Sequence, residues 1–165
     1  MNGKKTFDWD AYISRIIANN KLAEQHHFVQ TTCTGIGYLQ GMLQQFRTTA
    51  NFICTTDTCE ESIFLRSGGW FKRRQFVTFI LLRFDPRKSG DQNEKLNIAR
   101  ELYRQLLSKM VLDADSMDLD NHFLNVRDVR SKELGGTFLN SCTGLYFHTY
   151  MDEPENLCYD EHEWK

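Results

Sequence analysis

The hydrophobic pattern is densest between Trp70 and Met110, and the two halves of that stretch repeat with different periods. In the first half, Phe76, Val77, Phe79, Ile80, Leu81, Leu82 and Phe84 place apolar side chains on both sides of an extended chain, which predicts a long central strand covered on both faces. Asp85-Pro86 ends it, because proline fixes φ and removes a ladder donor. In the second half, Leu96, Ala99, Leu102, Tyr103, Leu106, Leu107 and Met110 recur every three or four residues. Lys95, Asn97, Arg100, Glu101, Arg104, Gln105, Ser108 and Lys109 take the other side. This predicts one amphipathic helix over about 91–110, with Asp91 as N-cap and Glu94 completing a capping-box pair. A two-faced strand followed by a one-faced helix predicts an α+β fold in which the helix lies across a mostly antiparallel sheet.

The rest of the chain adds strands around that unit. Tyr12, Ile13, Ile16, Ile17 and Ala23 predict an N-terminal helix from about Phe7 to Gln25, capped by Thr6 or Asp8. Residues 26–32 read as a short strand. Residues 36–47 lean towards a short helix, although Gly37 and Gly41 each weaken it by about 1 kcal/mol. Asn51–Thr56 is a strand, and Ser62–Leu65 is another that turns through Ser67-Gly68-Gly69 into the central one as a hairpin. An acidic linker, 113–120, leads to a strand over Phe123–Val129. A Gly135-Gly136 turn then precedes a last strand from Cys142 to Met151, in which Leu145, Phe147 and Met151 alternate with Tyr146, His148 and Tyr150. Pro154 is expected to stop it and leave a short acidic tail over about 152–165.

At 165 residues the chain fits one domain with a real core, and no internal repeat or low-complexity segment divides it. A formal charge of −2 gives no global argument for nucleic acid. The first ten residues lack the apolar run of a secretory signal, and no stretch approaches the 18 or so apolar residues that cross a membrane. Five cysteines without an export signal favour reduced thiols in a cytoplasm-like setting.

Candidate chemistry is sparse. Cys54 with Cys59, and Cys158 with His162, are short-range pairs of zinc-ligand type, but neither has the tight Cys-x2-Cys spacing and Cys54 falls inside an apolar strand. Buried small hydrophobes are the favoured reading, with no metal. His26 and His27 are adjacent and diverge in either helix or strand, so with His148 they read as ordinary polar positions. The glycines at 35, 37 and 41 have one residue too many for a dinucleotide loop and follow no βαβ pattern. No phosphate loop, nucleophile elbow or His-Glu-x-x-His is present, so the expectation is a non-enzyme without a cofactor. Asp113, Asp115, Asp118 and Asp120 read as solvated linker charge.

Charge placement is more informative. Residues 66–88 carry seven bases (Arg66, Lys72, Arg73, Arg74, Arg83, Arg87, Lys88) against Asp85, and residues 152–165 carry six acids (Asp152, Glu153, Glu155, Asp160, Glu161, Glu163) against Lys165. Three readings stand. The two regions can cancel within one monomer. The acidic end of one copy can meet the basic hairpin of the next, a head-to-tail contact that closes into a ring when the rotation allows. Or Lys72, Arg73 and Arg74 can hold nucleic-acid phosphates beside Trp70 and Phe71.

Taken together, residues 73–87, the helix 91–110 and residues 136–154 resemble, in order and wording, the tail-terminator or tail-completion proteins of tailed bacteriophages. They are also similar to structural proteins of crAss-like and related gut phages. The resemblance implies a small α+β subunit of an oligomeric ring in the virion, at the head–tail junction or tail, made in the host cytoplasm. Its expected partners are copies of itself, neighbouring neck or tail proteins, and DNA passing through the channel without sequence-specific binding, with no membrane. On that reading Arg66, Lys72, Arg73, Arg74 and Arg87 would donate across the subunit joint. Asp152, Glu153, Glu155, Asp160 and Glu161 would accept, and Trp70, Tyr159 and Trp164 would be apolar anchors. The alternatives are a nucleic-acid-binding module using residues 66–88 and a small zinc-binding domain.

Overall fold

A computed structural model describes residues 6–34, 51–56, 59–116, 119, 122–134 and 141–164. The predicted helix within 36–47 and the Gly135-Gly136 turn lie outside the described residues. The elements in chain order are α1 (Trp9–Ala18), α2 (Lys21–Gln25), β1 (Phe28–Cys33), β2 (Asn51–Thr56), β3 (Glu60–Arg66), β4 (Gly69–Arg83), α3 (Asp91–Asp115), β5 (Phe123–Leu134) and β6 (Cys142–Glu155). A 3-10 turn at Glu161–Glu163 follows. The six strands form one sheet in the order β1-β2-β4-β6-β5, with β3 pairing the first half of β4. Only β1–β2 is parallel. The fold is the expected α+β arrangement.

β4 earns its central place from its two-sided apolar run. Phe76, Ile80 and Leu82 face a cluster built with Ile13, Leu102, Leu106, Met110, Leu145 and Phe147. Phe79 and Leu81 face the other way, with Cys33, Phe52 and Cys54. Helix α3 covers the first face through Leu96, Ala99, Leu102, Leu106 and Met110, all buried. Helix α1 completes that side. Trp9 stacks on Phe76 with ring centroids 5.1 Å apart and donates its indole N–H to Thr78 Oγ1 at 3.0 Å. Asp10 accepts from Gln30, Thr32 and Thr55, which ties α1 to β1 and β2.

Several boundaries differ from the sequence expectation. The N-terminal helix is two helices, because Asn19 ends one and Asn20 caps the next, its side chain accepting from Ala23 N at 2.8 Å. Asp8 is the cap of α1 and accepts from Ala11 N. Asp91 is the first residue of α3, not its cap. Gly90 takes the cap position with φ +84, and Asp91 Oδ2 accepts from Asp85 N at 2.7 Å, closing the turn beneath the helix. That bond holds the Asp91 carboxyl below its usual pKa.

Helix α3 also runs on to Asp115, so Asp113 and Asp115 are helix rather than linker. Asp113 lies one turn after Met110 on the buried side, where Tyr12 and Lys109 satisfy its charge. Finally, β6 continues through Pro154, which pairs with Phe71, so Asp152, Glu153 and Glu155 are strand residues. β5 reaches only as far as Asp152, and beyond it β6 has a described strand on one side alone, where proline is tolerated.

Candidate assembly surface

The basic and acidic runs meet on neighbouring strands. Antiparallel register sets Trp70 opposite Glu155, Lys72 opposite Glu153 and Arg73 opposite Asp152. Arg73 donates to both carboxylate oxygens of Asp152, at 2.7 and 2.9 Å, and Arg66 stands 4.0 Å from the same carboxylate. Lys72 lies 3.3 Å from Glu155 and 3.9 Å from Glu153. Arg74 stands 3.7 Å from Glu153, donates to Phe7 O at 3.0 Å and rests over the Phe76 ring. Glu153 also accepts from Phe7 N and lies 3.8 Å from His122 Nε2. The hydrogen bonds that Arg73 donates to Asp152 push the guanidinium's pKa up.

Asp152 and Glu153 are buried, and buried carboxylates persist only with such partners. Lys72, Arg73, Arg74, Asp152, Glu153 and Glu155, assigned from sequence to a joint between copies, thus neutralise one another inside one chain. The reason is the β4–β6 ladder, which brings residues some 80 positions apart into direct register. Arg87 sits exposed in the turn beyond the opposite end of β4.

Beside this paired charge lies a group of exposed apolar side chains. The first half of β4 and all of β3 form a hairpin arm, paired along the other edge of β4 with the end of β6, and β3 is exposed along most of its length. In each hydrogen-bonded row, Leu65 faces Trp70 and Ile63 faces Lys72. Ile63, Leu65 and Trp70 share one face of the arm and keep 50, 66 and 43 % of their surface in solvent. The opposite face is stiffened by rings and cations: Phe64 stacks on Phe71, Phe123 meets Phe71 edge-on, Arg73 lies 5.0 Å from the Phe64 ring and Arg66 lies 5.5 Å from the Phe71 ring. The arm is therefore a braced platform with a bare apolar side.

Beyond Glu155, residues 156–164 are exposed throughout. Leu157, Tyr159 and Trp164 are 48, 75 and 68 % exposed, and Tyr159 stacks on Trp164 at 6.0 Å. The hydrogen bonds of this segment are local, such as Cys158 N to Asn156 Oδ1 and His162 N to Asp160 Oδ1. Trp70, Tyr159 and Trp164, expected from sequence to be apolar anchors, are therefore exposed. Ile63 and Leu65 are exposed too, which the sequence did not indicate, because a short apolar strand reads the same whether a core covers it or not.

The other candidates separate. Cys54 packs with Phe79 and Leu81 on one side of the sheet, while Cys59 packs on the helix side against Arg74 Nε at 3.2 Å. Among the described residues no three of His, Cys, Asp and Glu converge as metal ligands would. His148 binds Gln75 at 2.7 Å. An open cleft of about 470 Å³ between α1 and α3 is lined by Arg15, Asn19, Asn20, Gln105, Lys109 and Asp113. Its polar groups largely answer each other, as in Asn20 to Gln105 at 2.9 Å and Lys109 to Asp113. Among the described residues no helix is long and apolar enough to cross a membrane. No family model matches the chain, and no curated protein matches it either.

Proposed function

We propose that this protein is a structural subunit that works by assembling with copies of itself, in the manner of the neck and tail rings of tailed bacteriophages. One observation carries the reading: a rigid hairpin arm presents Ile63, Leu65 and Trp70 to solvent beside a strand edge that no described strand covers. Exposed apolar residues grouped on an edge strand promote association. The interspersed surface charge and the internal ion pairs supply a body stiff enough to repeat. In the virion such a subunit would stand among other neck or tail proteins around the passing DNA.

Mass measurement and negative-stain imaging of the purified chain test this. The expected result is a concentration-dependent shift to closed particles of uniform copy number that survives high salt, since the joint is apolar. A chain that remains monomeric up to about millimolar concentration, at low and high salt, overturns the reading. Monomers that bind DNA with a slope of several units in log salt would favour nucleic-acid binding instead.

A further inference from the structure

We infer that the outer edge of β3 receives residues 156–160 of a second copy as an added parallel strand. This rests on the assembly reading and names the contact through which copies join.

β3 pairs only with β4 among the described strands, so one row of its backbone N–H and C=O groups is open to a new strand. Its sequence, EESIFLR, carries charge only at its ends, Glu60, Glu61 and Arg66, and has no proline to remove a ladder donor. Residues 156–160 suit that edge. Leu157 and Tyr159 alternate as a strand needs, both exposed, and Asp160 already has extended backbone angles, φ −118 and ψ 114. Docking exchanges the local bond from Cys158 N to Asn156 for ladder bonds.

Side chains select the direction. A parallel strand with Leu157 beside Ile63 puts Tyr159 beside Leu65, extending the apolar face that includes Trp70. On the other face the same register puts Cys158 beside Phe64 and Asp160 beside Arg66, opposite charges. The antiparallel alternative, with Leu157 opposite Leu65, puts Asn156 opposite Arg66 and loses that ion pair. The sheet already accepts this geometry: β2 and β3 lie in line, both antiparallel to β4, and β1 lies parallel to β2. A parallel strand on β3 continues the row of β1.

The segment cannot come from the same chain. β6 leaves the sheet where Glu155 faces Trp70, at the turn end of the hairpin, and β3 also runs towards that turn. Parallel pairing within one chain would need the two residues from Glu155 to Leu157 to step back about 7 Å along β3 and cross three strand spacings, about 14 Å, when two extended residues span only about 7 Å. The contact therefore joins the tail of one copy to the arm of the next, a head-to-tail joint whose repetition gives a ring when the rotation closes.

The test is cross-linking of the full chain carrying Phe64→Cys. Neighbouring strands lie about 4.8 Å apart, within disulfide reach. Mild oxidation is expected to give a reducible ladder of dimers, trimers and larger species, with peptide mapping joining the new thiol to Cys158 and with the ladder lost on adding Cys158→Ser. Separately, Leu157→Asp with Tyr159→Asp is expected to raise the concentration of half-association at least about tenfold. These residues are exposed, and circular dichroism checks that the fold is kept. If copies still associate as before and no cross-link reaches Cys158, the tail contact is overturned while assembly stands. A cross-link formed only within single chains overturns it as well. If no form of the protein associates at all, both readings fall.

Discussion

Across the β4–β6 ladder, Arg73 grips Asp152 through two parallel hydrogen bonds, Nε to Oδ1 at 2.7 Å and Nη2 to Oδ2 at 2.9 Å. The carboxylate is buried, and the guanidinium carbon lies 5.0 Å from the Phe64 ring centroid and 5.8 Å from that of Tyr150. A planar fork fits this site, and an ammonium does not. The pair turns the two oppositely charged regions of the chain into an internal weld. Any joint between copies must then draw on other groups, which is why the exposed apolar face of the arm carries the functional reading.

Asp152→Ala and Arg73→Ala should each lower the free energy of unfolding by about 2 kcal/mol in urea at neutral pH, below the range for fully buried pairs because Arg73 keeps about a third of its side chain in water. The double-mutant cycle should return a coupling of about 1 kcal/mol or more, and Arg73→Lys should recover less than half of the loss. Independent effects that simply add would mean that the two side chains stabilise the arm separately.

Gly144 should tolerate no side chain. Its φ is +149, and a Cβ placed there would stand 1.9 Å from the carbonyl oxygen of Ile80 on the paired strand. Backbone cannot yield as a flexible side chain does, so Gly144→Ala should destabilise by about 3 kcal/mol or more. Thermal unfolding followed by circular dichroism reads this directly, and a midpoint within a degree or two of the parent would refute it.

Element types were legible wherever periodicity was unbroken. The two-faced run 76–84 and the one-faced run 96–110 account for β4 and α3, and with them for the α+β class. Pairings were not legible. A charge run shows that Arg73 and Asp152 are charged, but only the ladder shows that these residues, 79 positions apart, are opposite each other. Asp113 was read as solvated because acids usually are, and its partner Tyr12 lies 101 residues away. Pro154 was read as a stop because its pairing with Phe71, 83 positions earlier, cannot be seen in sequence. The bare face of the arm was hidden for the same reason. Ile63 and Leu65 have the pattern of a core strand, and only tertiary structure shows that nothing described covers them.

On the outer surface of α3, Arg104 hydrogen-bonds Glu101 one turn before it and depresses the Glu101 pKa to about 2, with Gln105 assisting. The folded value lies below the ordinary 4.5, so this carboxylate's contribution to stability is whole above about pH 4.5 and is lost as pH falls towards 2. Carboxyl NMR titration should place Glu101 among the last side chains to protonate, and Arg104→Ala should return it towards 4.5. A titration near 4.5 in the parent protein would show that the pair is not kept in solution.

Tyr12 and Asp113 join α1 to the last turns of α3. The phenol donates to Asp113 Oδ2 at 2.9 Å in a buried setting, and Lys109 holds the other oxygen. Burial first, and the adjacent carboxylate second, push the Tyr12 pKa well above its ordinary 10. The sign follows: the contribution of this group is fully present below pH 10 and is lost as pH rises beyond it, because only the unfolded chain can ionise the phenol readily. Tyr12→Phe should lower stability at neutral pH by about 1–2 kcal/mol, since Lys109 remains to satisfy the buried carboxylate. Asp113→Leu should remove most of the effect of Tyr12→Phe when the two are combined. Absorbance titration should show one tyrosine ionising only as the fold is lost in alkali, and that late step should be missing in Tyr12→Phe. An unchanged titration in the variant would mean that Tyr12 is open to water and that α1 is not anchored to α3 in this way.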